Sequence, residues 1–380
     1  MNSLDRGLRE GMAKKKRIVI KIGTSSLTYA NGKANLRFME RLAREVSDLT
    51  NRGIQVVLVS SGAIGVGLPV LGFTEKPSYL PYKQAAAAVG QGLLMNLYER
   101  LFHEYGRAVA QVLLTKGDSL NPRRYMYARG TLSALLELGV VPVVNENDAV
   151  AADEIKIGDN DTLSAMVASI ADADLLIILS DVKGLYDKNP SDHDDARLIS
   201  EVPSFRKEFF QMAGGPGTAR GTGGMYTKLL AAEICYQSGV DMVIASSAEK
   251  DVLYRIMDGD EVGTFFKGKD VHPQMKKRKL IIGADVKGTI IVDAGCRDAL
   301  VKRGSSLLPV GIITAEGNFR EGDAVSVSCG GEEVARGISH YSAEDVRKMA
   351  GRHTGDLSEA LGGDAPYDTV IHRDNLIVMK

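Results

Sequence analysis

Between Arg17 and about Ala248 the chain alternates short, strand-like runs that are mainly apolar with stretches of helical period, and this alternation limits its fold more than any single motif. The runs are Arg17-Ile22 (RIVIKI), Ile54-Ser60 (IQVVLVS), Ala108-Leu114, Val140-Val144, Asp174-Ser180 and Asp241-Ala245. They show no polar–apolar alternation, so each needs cover on both faces, as parallel strands between helices have. Asn35 can cap the first intervening helix, whose Leu36, Met39, Leu42, Ala43, Val46 and Leu49 share one face and which Gly53 ends. Lys83-Tyr105 reads as a long helix, and shorter ones fall around 125–138, 160–171 and 225–238. The expected fold class is α/β, a mostly parallel sheet sandwiched by helices.

The pattern changes after Lys267. At 380 residues the chain exceeds the roughly 250–300 at which single cores stop growing, so a second domain is expected. Residues 267–279 (KGKDVHPQMKKRK) are polar and basic and read as a linker. Beyond it come the short β-like pieces Leu280-Ile282, Thr289-Val292, Gly311-Thr314 and Ala324-Ser328, with helices near 295–303 and 342–350. Dense turns without parallel crossovers predict a small β-rich, barrel-like domain over 280–370. The remaining divisions are an N-terminal extension over 1–16, its first eleven residues loose, and the α/β domain over 17–266.

Composition excludes several classes. Lysine plus arginine (47) nearly cancels aspartate plus glutamate (48), so no global field draws the chain to nucleic acid or membrane. A local basic patch, KKRK at 276–279, remains, but RNA binding as the main function is not expected. Three scattered cysteines form no CxxC site or disulfide framework, and the start MNSLDRGLREGMAKKKR has no apolar h-region. No apolar stretch reaches the ~20 residues of a membrane span. A cytoplasmic location is therefore expected. The six histidines have no zinc-ligand spacing, and no GxSxG elbow is present.

In an open parallel sheet, ligands bind at the carboxyl ends of strands. Four loops there carry chemistry. Lys21-Ile22-Gly23-Thr24-Ser25-Ser26 offers a cation, backbone N–H groups and hydroxyls, suited to a phosphate, or else a surface lysine before an ordinary turn. Ser60-Ser61-Gly62-Ala63-Ile64-Gly65-Val66-Gly67 is glycine-rich, but its GxxGxG spacing is not the dinucleotide GxGxxG. It suits close helix packing or a small anion such as a carboxylate. Asn145-Glu146-Asn147-Asp148 and Gly158-Asp159-Asn160-Asp161 place six acids between 146 and 161. They form either a solvated loop whose Asp159 or Asn160 caps a helix, or a site for an ammonium, lysines or magnesium. Last, Ser180-Asp181-Val182-Lys183-Gly184-Leu185-Tyr186 pairs with Gly221-Thr222-Gly223-Gly224-Met225-Tyr226-Thr227-Lys228. The latter is a glycine loop entering a helix with a lysine near its start, the recipe for a nucleotide phosphate, although no Walker A sequence is present.

These segments together resemble the amino acid kinase family: KIGTSS (21–26), SSGAIGVG (60–67), NENDAVAADEIKIGDND (145–161), SDVKGLY (180–186) and GTGGMYTK (221–228). The tail resembles a PUA domain through RGSSLLPVGI (303–312), EGNFREGDAVSV (316–327) and ARGISHYS (335–342). That pairing is similar to the family members that phosphorylate glutamate. The resemblance implies transfer of phosphate from ATP, with Mg²⁺, to the side-chain carboxylate of L-glutamate, the first step of proline synthesis. Acetylglutamate, aspartate, carbamate or a nucleoside monophosphate are the alternative substrates. By resemblance Lys21 and Lys228 flank the transferring phosphoryl group, with Asp161, and Asp159 as helper, holding them. Ser61, Gly62, Asp148 and Asn160 match the amino-acid positions. Lys21, Ser180, Asp181, Thr222, Gly223, Gly224, Met225, Tyr226, Thr227 and Lys228 match the ATP site. No metal ligand is assigned. Ser180 departs from the threonine usual in the family but keeps a hydroxyl. The resemblance further implies proline as feedback inhibitor, a homo-oligomer (dimer or tetramer) and coupling to glutamyl phosphate reductase.

Overall fold

The computed structural model describes residues 7–29, 31–115, 117–118, 121–150, 160–190, 192–212, 224–270 and 285–379. By their contacts they divide into two compact units, Met1–Lys116 with Arg129–Asp270, and Gly117–Ala128 with Val271–Lys380.

In the first unit all six apolar runs are strands: β1 (Arg17–Ile22), β2 (Gln55–Ser60), β3 (Val109–Leu114), β4 (Val141–Glu146), β5 (Leu175–Ser180) and, after the two-residue β6 (Glu201–Val202), β7 (Asp241–Ser246). With β8 (Thr264–Phe266) they form an eight-stranded sheet in the order β3-β4-β2-β1-β5-β7-β8-β6. The first six strands of that order pair parallel, and only β7 with β8 runs antiparallel. β6 and β8 were not legible in the sequence, because two or three residues are too few to show a period. The order reverses at β1: β2 lies on one side and β5 on the other. The carboxyl ends of β4, β2, β1 and β5 therefore stand side by side around a switch point, where α/β sheets bind ligands.

The helices of this unit are α1 (Thr24–Leu27), α2 (Leu36–Asn51), α3 (Ala63–Val70), α4 (Leu80–His103), α5 (Pro122–Glu137, shared with the other unit), α6 (Asp161–Ile170), α7 (Met225–Ser238) and α8 (Val252–Met257), besides one turn at 209–212. Asn35 caps α2 as expected, its side chain accepting from Phe38 N at 3.2 Å, worth ~1 kcal/mol. Met39, Leu42, Ala43, Val46 and Leu49 are buried, but Leu36 is exposed and Phe38 takes its place against the core. α3 went unread because its glycines and Pro69 look like a turn.

The expected loose N-terminal extension is corrected where it is described. Leu8–Lys14 is a 3₁₀ turn with Arg9 and Met12 buried. The Arg9 guanidinium donates to the carbonyls of Ser200 (2.9 Å), Val262 (3.0 Å), Gly263 (3.1 Å) and Asp260 (3.2 Å). A row of strand-end carbonyls needing donors holds this segment down.

The second unit is built on a five-stranded sheet in the order β10-β9-β11-β12-β13, where β9 is Val286–Val292, β10 Ile312–Gly317, β11 Ala324–Cys329, β12 Glu332–Ile338 and β13 Leu376–Val378. Only β9 and β11 pair parallel. Helices α9 (Ala294–Arg303), α10 (Ala343–Met349) and α11 (Leu357–Leu361) accompany it. Phe319, Tyr341, Val325, Val346 and Ile371 are among its core residues. β12 was missed because Glu333 and Arg336 pair with each other on a half-exposed strand and break its apolar pattern. β13 lies beyond the expected end at 370. The expected strand Leu280-Ile282 and most of the expected linker lie outside the described residues. Gly117–Ala128 falls in this unit by contact, with Met126 packed on Ala324 and Ile338, whereas sequence order alone put it in the α/β domain.

Candidate active site

β1 is buried from Ile18 onward and carries Lys21, itself only 3% exposed, next to its carboxyl end. A lysine so placed cannot shed its charge into water and must be paired. Its partner is Asp161, the first residue of α6 and wholly buried: Lys21 Nζ lies 2.6 Å from Asp161 Oδ1. A carboxylate in the first turn of a helix also meets the positive end of the helix dipole. α6 packs along α7, and from there Lys228 Nζ lies 3.2 Å from the other oxygen, Oδ2. The Thr227 hydroxyl is 2.9 Å from the same Oδ2 and 3.0 Å from the Gly224 carbonyl. Two cations share one anion, and the buried trio keeps a net positive charge.

Beside it is a cavity of about 250 Å³, below the ~300–1,000 Å³ of sites for drug-sized molecules and so suited to something smaller. Ser61, Gly62, Asp148 and Asn160 all line it, with Thr24, Lys76, Asn145 and Glu146. The two readings of the glycine loop after β2 divide by residue. Gly62, with φ +93°, and Gly65 line the cavity. Gly67 serves packing, since a Cβ there would lie 1.9 Å from the Ala86 carbonyl oxygen of α4. Below the loop, Ser60 bonds Tyr98 at 3.0 Å, and burial pushes the Tyr98 phenol well above its usual range, so it stays a neutral partner.

Asn160 stands at the N-cap of α6 but makes no side-chain cap bond. Its Nδ2 donates instead to the Ser60 carbonyl (2.6 Å) and to Asn145 Oδ1 (2.7 Å). For Asn160 the capping alternative is thus corrected: the amide ties α6 to the ends of β2 and β4. Asn145 Nδ2 in turn donates to Gln91 Oε1 of α4 at 2.8 Å.

On the other side of β1, Ser180 ends β5 and donates to the exposed Asp181 at 2.8 Å. Gly224 caps α7, and Met225 and Tyr226 open it half-buried, the Tyr226 ring 5.2 Å from Phe210. Asp159, Thr222 and Gly223 lie outside the described residues. Sequence reasoning missed Gln91 and Lys76, which no pattern singles out, and left Thr24 and Asn145 without roles although both stand in quoted segments.

The amino acid kinase family model matches residues 16–246, and the PUA domain model matches 288–361. The chain belongs to the amino acid kinase family. Within that family it is similar to curated proteins called glutamate 5-kinase. One from Caldanaerobacter subterraneus subsp. tengcongensis is 53% identical over 96% of this chain and 98% of its own length. Another, from Carboxydothermus hydrogenoformans, is 50% identical over 98% of this chain and 100% of its own. A third, from Moorella thermoacetica, is 49% identical over 99% of both. A cluster holding surplus positive charge beside a cavity suits phosphoryl transfer to a small molecule.

Proposed function

We propose that the chain transfers the γ-phosphoryl group of ATP to the side-chain carboxylate of L-glutamate, giving L-glutamyl 5-phosphate and ADP. The names of relatives about half identical over nearly the whole length support this reading. The observation that carries it is Asp161 shared between Lys21 and Lys228, next in sequence to a cavity residue, Asn160.

A glutamate side chain is ionised at neutral pH, its ordinary pKa being ~4.3, so the attacking oxygen has no proton to lose. No general base is needed, and Asp161 does not serve as one. One carboxylate oxygen forms a bond to the γ-phosphorus as the bond to the bridging oxygen breaks, and ADP leaves with that electron pair. The obstacle is repulsion between two anions, and the remedies are position and positive charge. Lys21 and Lys228 flank the transferring group, and Asp161 keeps them apart at fixed places. At ~4 Å and an effective dielectric near 20, the one net positive charge of the trio would interact with a unit of negative charge by about 4 kcal/mol.

Ser61, Gly62, Asp148 and Asn160 hold the amino acid, with the Asp148 carboxylate the natural partner of its ammonium. Ser180, Asp181 and the loop from Thr222 to Lys228 hold the nucleotide, and Asp159 assists Asp161. Mg²⁺ bound with the nucleotide would supply charge neutralisation for its phosphates. Such an ion takes one or two carboxylates besides phosphate oxygens, and exposed Asp181 is the acid that fits. The product is the activated acid that opens proline synthesis, which makes proline a natural feedback inhibitor and glutamyl phosphate reductase a natural consumer. A homo-oligomer in the cytoplasm completes the reading. No helix among the described residues is long and apolar enough to cross a membrane.

The test is glutamate-dependent ADP release by the purified chain with Mg²⁺ and ATP. ADP release with acetylglutamate, aspartate or carbamate but not with glutamate would overturn the assignment.

A further inference from the structure

The cavity beside the trio is lined by charges of both signs, and they come from different parts of the fold. Glu146 and Asp148 bring carboxylates from the end of β4 and the turn that follows it. Lys76 brings an ammonium from the loop between α3 and α4, and it is the one cation among the described residues that line the cavity. It is exposed, and no ion pair or hydrogen bond holds it among the described residues. Its charge is thus available to a ligand.

L-Glutamate carries two carboxylates and one ammonium at neutral pH. In the proposed reaction its side-chain carboxylate faces the trio and its ammonium goes to Asp148. The α-carboxylate is left, in a cavity of about 250 Å³ whose other charged side chains are two acids. So close to like charge, it needs a positive partner. We infer that Lys76 reads the α-carboxylate of the amino acid and so limits the reaction to acceptors in which that group is free. Uncharged donors are present too: Ala63, Ile64 and Gly65 line the cavity from the first turn of α3, where backbone N–H groups lack helical partners. Those donors suit a carboxylate or a carboxamide oxygen alike. A cation tells the two apart, because its bond to the carboxylate is charge-assisted. Water screens an exposed lysine, so the discrimination it adds is about tenfold rather than thousands. The inference rests on the proposed reaction and deepens it, naming which group reads the acid end of the acceptor.

The experiment compares Lys76→Met, which keeps an unbranched stem but removes the charge, with Lys76→Arg, which keeps the charge. The acceptors are L-glutamate and L-isoglutamine, the same molecule with its α-carboxylate as an amide and its side-chain carboxylate intact. Lys76 is exposed, so neither replacement should disturb the core. Lys76→Met should raise the glutamate KM about tenfold and leave kcat and the ATP KM within about twofold. It should also lower the preference for glutamate over isoglutamine in kcat/KM at least about fivefold. Lys76→Arg should keep that preference within about twofold. Where isoglutamine turns over too slowly to measure, its inhibition constant against glutamate supplies the preference instead. A Lys76→Met variant with the glutamate KM unmoved, or with both acceptors weakened equally, overturns the inference. So does one in which the ATP KM rises as much as that of glutamate, which would assign the lysine to the nucleotide. An unaltered chain that does not phosphorylate glutamate defeats the proposed reaction instead, a separate outcome seen before any variant is made.

Discussion

Lys21 and Asp161 meet at 2.6 Å where neither side chain is more than 4% exposed, and the opposite oxygen of the same carboxylate takes Lys228. β1, α6 and α7 each contribute one charge to this trio. Removing the anion leaves two buried cations facing each other, at a cost of about 3–5 kcal/mol. Asp161→Asn should therefore lower the midpoint of thermal unfolding as well as kcat.

Either lysine alone should matter to chemistry more than to binding. Lys21→Ala and Lys228→Ala are each expected to lower kcat by about a hundredfold or more, with a smaller change in the glutamate KM, since the charge they answer grows during transfer. Steady-state kinetics would show it. Full kcat in either variant removes that lysine from the mechanism.

Asp148 lines the cavity proposed to hold the amino acid. Asp148→Ala should raise the glutamate KM by roughly a hundredfold, the worth of a charge-assisted contact of ~2–3 kcal/mol, and leave ATP affinity nearly unchanged. Calorimetric titration with each ligand separates the two. Loss of nucleotide binding with glutamate binding intact would reverse the assignment of the two sides.

The N-terminal turn makes a prediction about stability alone. Arg9→Ala strips donors from the carbonyls of Ser200, Asp260, Val262 and Gly263 and should destabilise the fold by about 2–4 kcal/mol. Denaturant unfolding measures this. A variant as stable as the parent would show that the turn hangs loose.

Much of this was legible in the sequence, and for identifiable reasons. Strands buried on both faces, such as Leu175–Ser180, announce themselves by uninterrupted apolar runs, and Asn35 and Gly53 mark both ends of α2. Lys21, Asp161 and Lys228 received their roles from the resemblance, since the residues alone left Lys21 as a phosphate ligand or a surface lysine and Asp161 as one of six acids that could equally be solvated. Gln91 did not stand out, since a glutamine among alanines in a long helix looks like a surface residue until the helix it faces is known. Thr227 was read as part of the nucleotide loop, but its hydroxyl reaches Asp161, a contact between residues far apart in the chain that no local pattern encodes. Arg9 hid for the opposite reason, lost among the charges of the first residues.

Cysteine reactivity offers an independent check on the second unit. Burial, with Asp293 nearby, pushes the Cys296 thiol up to about 11. Only the thiolate is nucleophilic, so at pH 8 about one molecule in a thousand is reactive at that position. Alkylation of Cys296, followed by peptide mass spectrometry, should be far slower in the native protein than in urea and should accelerate as pH rises toward 11. Rapid native labelling at pH 7 would contradict the packing of Cys296 against Gly311.

The central claim is that the Lys21–Asp161–Lys228 trio serves transfer to the glutamate carboxylate. It is tested most directly by ADP release from the unaltered chain with ATP and Mg²⁺, supplied in turn with glutamate, N-acetylglutamate, aspartate, carbamate and a nucleoside monophosphate. Glutamate should exceed every other acceptor by at least about a hundredfold in kcat/KM, and trapping the product with hydroxylamine should yield the glutamyl hydroxamate expected of an acyl phosphate. A chain that turns over one of the other acceptors faster, or releases ADP with glutamate but yields no hydroxamate, would contradict the claim.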